Sequence, residues 1–182
     1  MNKNGFTIIE LLVVIAIMTG FFIVVISNFS QIRFRFALSR TAYKFNQDLR
    51  RAQNMALSFS LYKDSEGTEA PVDGYGIHID LDILGNKKYI IYADKQAGNQ
   101  QYDSSDYIIE EIDLKLSEPG IIIKEINNVA GNKVSVNFSE LRVEISQLIS
   151  DQSNMDVVFA VESDQSIIST VSVNTAGLIE TK

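Results

Sequence analysis

Gly5-Phe6-Thr7-Ile8-Ile9-Glu10-Leu11-Leu12-Val13-Val14-Ile15 opens an apolar run that continues to Phe29. From Phe6 to Phe29 the only formal charge is Glu10. As a helix this run rises about 36 Å, more than the roughly 30 Å of a bilayer's hydrocarbon core. Residues 6–30 are therefore expected to form a transmembrane helix, preceded by a short leader, residues 1–5. A carboxylate inside such a segment costs a few kcal/mol unless it is paired, which marks Glu10 as a functional residue.

The leader carries one charged side chain, Lys3. A secretory signal would be cut after its apolar region, at a small-x-small site. The far end of this run, Ile26-Ser27-Asn28-Phe29-Ser30, offers no such site. Gly5 followed by Phe6, with an acid at position 10 and a long apolar run, resembles the processing and methylation site of type IV prepilins and pseudopilins. The resemblance implies cleavage between Gly5 and Phe6 by prepilin peptidase, and N-methylation of Phe6 by the same enzyme. It implies that Glu10 pairs with an N-terminal amine, its own or a neighbour's, as the subunit enters a filament. The helix dipole alone favours a carboxylate there by about 0.3–1 kcal/mol, too little to offset burial in lipid. The implied partners are other pilin or pseudopilin subunits, prepilin peptidase, the inner-membrane assembly platform and membrane lipid. The implied location is the cytoplasmic (inner) membrane, crossed once with the C-terminal domain outside, and then a pilus or pseudopilus.

Beyond the apolar run, Leu38, Ala42, Phe45, Leu49, Ala52, Ala56 and Phe59 fall on one helical face. No proline precedes Pro71, so one helix is expected from about residue 6 to 60, with residues 31–60 its amphipathic half. Gly20 and Ser27-Asn28 are its softest points. From Val72 the period changes to two. Tyr75, Ile77, Ile79, Leu81 and Ile83 alternate with Gly76, His78, Asp80 and Asp82, as in a strand with one polar, solvent-facing side. Gly85-Asn86 turns the chain into a second strand, and residues 96–106 read as a polar loop. Further strands are expected at 107–116, 120–126, 133–138, 141–145, 157–162 and 167–173. The fold class is α+β: a long N-terminal helix packed on an antiparallel sheet or small β-sandwich, pilin-like, with residues 61–182 as the β-rich domain.

Leu49-Arg50-Arg51-Ala52, Gly74-Tyr75-Gly76-Ile77 and Asn174-Thr175-Ala176-Gly177 are similar to stretches of H-type pseudopilins and T-type minor fimbrial pilins. The Phe138-Ser139-Glu140 turn departs from that subgroup in having no nearby glycine.

The net charge of −7 is unevenly spread. Residues 31–60 hold six Lys or Arg against one acid, whereas residues 61–182 hold nine against twenty-one. An acidic domain repels nucleic acid, and the basic stretch suits anionic headgroups or acidic neighbours. With no cysteine and one histidine, His78, disulfides and thiolate zinc sites are excluded. Asp80/Asp82 and Asp103/Asp106 lack the ligand series of a calcium loop and read as a solvated strand face and a polar loop. No nucleophile, phosphate loop or cofactor motif is present, so no metal, cofactor or enzymatic activity is expected. A structural subunit, a minor pilin or pseudopilin, fits best. A DNA-binding minor pilin of a transformation pilus is the alternative.

Overall fold

The computed structural model describes residues 7–58, 61–63, 67–95, 100–140 and 142–182, with the side chains of residues 24 and 26–30 outside that description. Helix α1 spans Ile8–Leu57 without a break, through Gly20 and the Ser27-Asn28 pair. Thr7 caps its start and Ser58 its end. The expected stripe is the buried one: Ala42, Phe45, Leu49 and Ala52 are fully enclosed, flanked by Leu38 and Ala56. Phe59 lies outside the described residues.

Every paired strand is antiparallel, both where a short link joins neighbours and where the partners are distant in sequence, as in Gly74–Asp80 with Lys133–Phe138 and Ile121–Asn127 with Asn154–Val161. Strands β1 (Tyr62–Lys63) and β2 (Glu69–Ala70) form a small hairpin after the helix. The first main sheet has five strands in the order β5-β4-β3-β7-β8. These are β3 (Gly74–Asp80), β4 (Lys88–Asp94), β5 (Tyr107–Asp113), β7 (Lys133–Phe138) and β8 (Val143–Ile145). The second main sheet has four, in the order β11-β10-β9-β6. It comprises β6 (Ile121–Asn127), β9 (Asn154–Val161), β10 (Asp164–Asn174) and β11 (Ile179–Thr181). A one-turn helix α2 (Leu114–Ser117) links β5 to β6.

The helix joins the two sheets into one core. The Phe45 ring meets Tyr89 of β4 edge-on at 5.1 Å and Phe159 of β9 at 5.3 Å. Aromatic pairs in this arrangement add about 0.5–1.5 kcal/mol each beyond the area they bury.

Two expectations need correction. The first strand ends at Asp80, not at Ile83, because the Asp80 carboxylate accepts the Asp82 and Ile83 N–H groups at 2.9 Å and turns the chain. Its second face is also closed. His78 is 9% exposed and Asp80 5%. Tyr102, from the segment after β4, lies on the His78 ring at 4.6 Å and on Tyr92 at 5.3 Å. His78 Nδ1 and Ser135 Oγ share a hydrogen bond of 2.9 Å. The solvated strand face is thus an interior, and His78 is not a surface residue. The loop acids serve the backbone: Asp103 Oδ1 accepts the Ser105 N–H, and Asp106 accepts those of Lys95 and Asp103.

The remaining strands differ mainly at their ends. Residues 114–116 turn into α2 because Asp113 Oδ1 accepts the Lys115 N–H as a helix cap. The hairpin β1–β2 and the closing strand β11 were not expected. β11 is only three residues long and is held by the register Val171↔Thr181 to Val173↔Ile179.

Candidate processing and assembly segment

The cleavage-site residues Gly5 and Phe6 lie outside the described residues, whereas Thr7 and Glu10 lie within them. Thr7 is extended, with φ −81° and ψ 148°, and its Oγ1 accepts the Glu10 N–H at 3.3 Å. Its carbonyl accepts the Leu11 N–H at 3.2 Å. Thr-x-x-Glu is the spacing of a capping box, so Glu10 sits at the third helical position, among backbone N–H groups that favour negative charge. That signal was legible in Thr7-Ile8-Ile9-Glu10 and singles out Thr7 as a second determinant of where the helix starts. The Glu10 side chain is exposed on the isolated chain.

Behind Glu10 the helix carries its apolar side chains with nothing from the domain against them. Ile17, Phe21 and Ile23 are each about two-thirds exposed. The one hydroxyl among them is satisfied internally, Thr19 Oγ1 donating to the Ile15 carbonyl at 2.8 Å. Among the described residues no helix is long and apolar enough to cross a membrane. The fully described apolar stretch, residues 8–23, rises about 24 Å, short of a core of roughly 30 Å. Of the rest of the expected 6–30 span, Phe6 and the side chains of residues 24 and 26–30 lie outside the description.

The helix meets the domain at Phe34. Gly120, with φ +93°, lies so close that a Cβ there would stand 2.9 Å from the Phe34 ring. Nearly two turns on, Arg40 makes a two-point ion pair with Glu118 at 2.5 and 2.9 Å. Lys44 pairs with Asp48 at 2.5 Å, and Arg51 with Glu110 at 2.6 Å. Three of the six basic residues in 31–60 are thereby ion-paired within the chain, and a fourth, Arg50, donates to Asn46 Oδ1 and the Ile179 carbonyl.

Among the described residues no group of three or more His, Cys, Asp or Glu is gathered as a metal site would require. Burial pushes His78 down from the usual 6.5 to about 4, against the Asp80 charge, which raises it. It is therefore neutral at physiological pH.

Residues 1–19 match the family model described as the prokaryotic N-terminal methylation motif. The match spans Gly5, Phe6 and Glu10 and is consistent with the type IV prepilin and pseudopilin family. No curated protein and no solved structure matches the chain significantly.

Proposed function

We infer that the chain is a minor pilin or pseudopilin, a structural and non-catalytic subunit built into a type IV pilus or a type II secretion pseudopilus. The observation that carries this reading is the methylation motif over residues 1–19, whose described part opens a bare apolar helix continuous with the domain's core helix. Prepilin peptidase cuts after Gly5 and methylates Phe6. The subunit then waits in the inner membrane with its domain outside, until the assembly platform passes it into the filament. Glu10, at the first turn, recruits a terminal amine there. Such a pair fixes register more than it adds stability, since its desolvation cost offsets much of its attraction. The acidic domain and the intrachain pairing of Arg40, Lys44 and Arg51 speak against the DNA-binding alternative.

Glu10→Leu tests the role. The helix becomes more apolar, so the variant is still cleaved and membrane-resident. It should be missing from sheared filaments or from cross-linked pseudopilus complexes. Recovery there at wild-type levels would refute the pairing.

A further inference from the structure

The pole of the domain from which the apolar helix emerges is an assembled surface. Phe34 of α1 stands against Gly120, and Arg40 holds Glu118, so the segment from α2 to Gly120 lies beside the helix exit. The β3–β4 turn is tied to the same place. The Leu114 N–H donates to the Lys87 carbonyl at 2.8 Å, and the Ile123 N–H to that of Asn86 at 2.7 Å.

This pole exposes apolar side chains that the fold leaves uncovered. Leu116 of α2 is 83% exposed and Ile83 of the adjoining turn 84%, with Phe36 of α1 at 63%. Lys115 precedes Leu116, and Arg33 and Arg35 flank Phe34. No ion pair among the described residues engages Arg33, Arg35 or Lys115, unlike Arg40, Lys44 and Arg51. Large apolar side chains standing next to uncommitted cations are the chemistry of a bilayer interface, where rings and branched chains enter the headgroup layer and cations meet phosphate.

Helix length puts the pole at that depth. With Glu10 at the inner boundary, a hydrocarbon core of roughly 30 Å takes about twenty residues, to near Ser30. Phe34 is then about 6 Å further out, within the headgroup layer.

We propose that this pole, through Leu116, Ile83 and Phe36 with Arg33, Arg35 and Lys115, rests on the outer-leaflet headgroups of anionic phospholipid while the subunit is stored in the membrane. The contact is peripheral and weak enough to be broken on entry into a filament. It holds the domain in one orientation above the bilayer, a second anchor beside the helix. The proposal rests on the reading of residues 6–30 as the membrane span.

The chain has no cysteine, so a single label can be placed at will. The full chain is labelled with an environment-sensitive fluorophore at Leu116→Cys, at Ser153→Cys on the far side, or at Met18→Cys in the span. It is then reconstituted into vesicles of phosphatidylcholine alone or with phosphatidylglycerol, each containing brominated lipid as quencher. We expect quenching at Met18→Cys in both lipids, none at Ser153→Cys, and quenching at Leu116→Cys that is strong only with phosphatidylglycerol. Replacing Arg33 and Arg35 by Gln should lower that anionic preference by roughly an order of magnitude.

An unquenched Met18→Cys would overturn the membrane-span reading, and the proposal with it. A quenched Met18→Cys with an unquenched Leu116→Cys would overturn the proposal alone. So would a lipid-independent shift at Leu116→Cys that scales with protein density, which would assign the surface to a second copy of the chain.

Discussion

The Tyr89 hydroxyl donates to Asp48 Oδ2 at 2.6 Å, joining the five-stranded sheet to α1 inside the core. The other carboxylate oxygen of Asp48 takes the Lys44 ammonium at 2.5 Å. Burial, and after it the Asp48 charge, pushes the Tyr89 phenol far up, so it remains the proton donor throughout the physiological range. A hydrogen bond to a charged group contributes about 1.5–3 kcal/mol. Tyr89→Phe should cost that much in urea denaturation of the detergent-solubilised chain, with an unchanged m-value. A loss below about 0.5 kcal/mol would mean water replaces the hydroxyl and that the contact is not closed.

Phe45→Asp should be far worse. Phe45 is fully enclosed between Tyr89 and Phe159, and the nearby Lys44 ammonium is already held by Asp48. The substitution removes ring packing worth about 3–5 kcal/mol as Phe→Ala and adds an unpaired buried charge. A domain with net stability of about 5–15 kcal/mol would be marginal or unfolded. A melting temperature equal to wild type would show that this helix face is open.

Acid should destabilise the domain through His78. Its folded pKa, about 4, lies below the ordinary 6.5. The unfolded chain therefore binds a proton that the folded chain refuses, and stability falls as pH drops from 6.5 toward 4. Above 6.5 the contribution is fully present. Between pH 7 and pH 4.5, His78→Gln should lose less denaturation midpoint than wild type does. Equal losses would show that the ring is solvated.

Gly76→Ala should destabilise the sheet. The added Cβ would run into the Val136 carbonyl on the paired strand and stand 2.8 Å from the Tyr92 ring. Backbone on one side leaves the strand no easy retreat, and overpacking of this kind costs roughly 1–3 kcal/mol. Gly20→Ala is the contrast, with nothing within 4 Å of its Cβ, and should cost nothing measurable. Equal effects of the two would remove the steric explanation.

The long helix was legible because its stripe, from Leu38 to Ala56, is periodic over many turns and meets no proline. The strands were legible where alternation is clean, as at 133–138, which is the observed β7. Alternation places His78 on the polar face but reports only which residues share a face, not whether that face is covered. The cover is Tyr102, from a polar segment far along the chain. Gly74 and Gly76, on the same face as His78, were the available warning, since glycines inside a strand mark a close approach by something else. The cap at Thr7 was readable from spacing alone. The pairs Tyr89–Asp48 and Arg40–Glu118 were not, because they depend on how the sheets fold around the helix.

The central claim, that this is a prepilin-type subunit, is tested most directly by the intact mass of the protein extracted from membranes of a host with an active prepilin peptidase. The account predicts a chain that begins at Phe6, lacks Met1 to Gly5 and carries one added methyl group on its terminal nitrogen. A chain beginning at Met1, or one cut after residue 25 as by an ordinary signal peptidase, would contradict it.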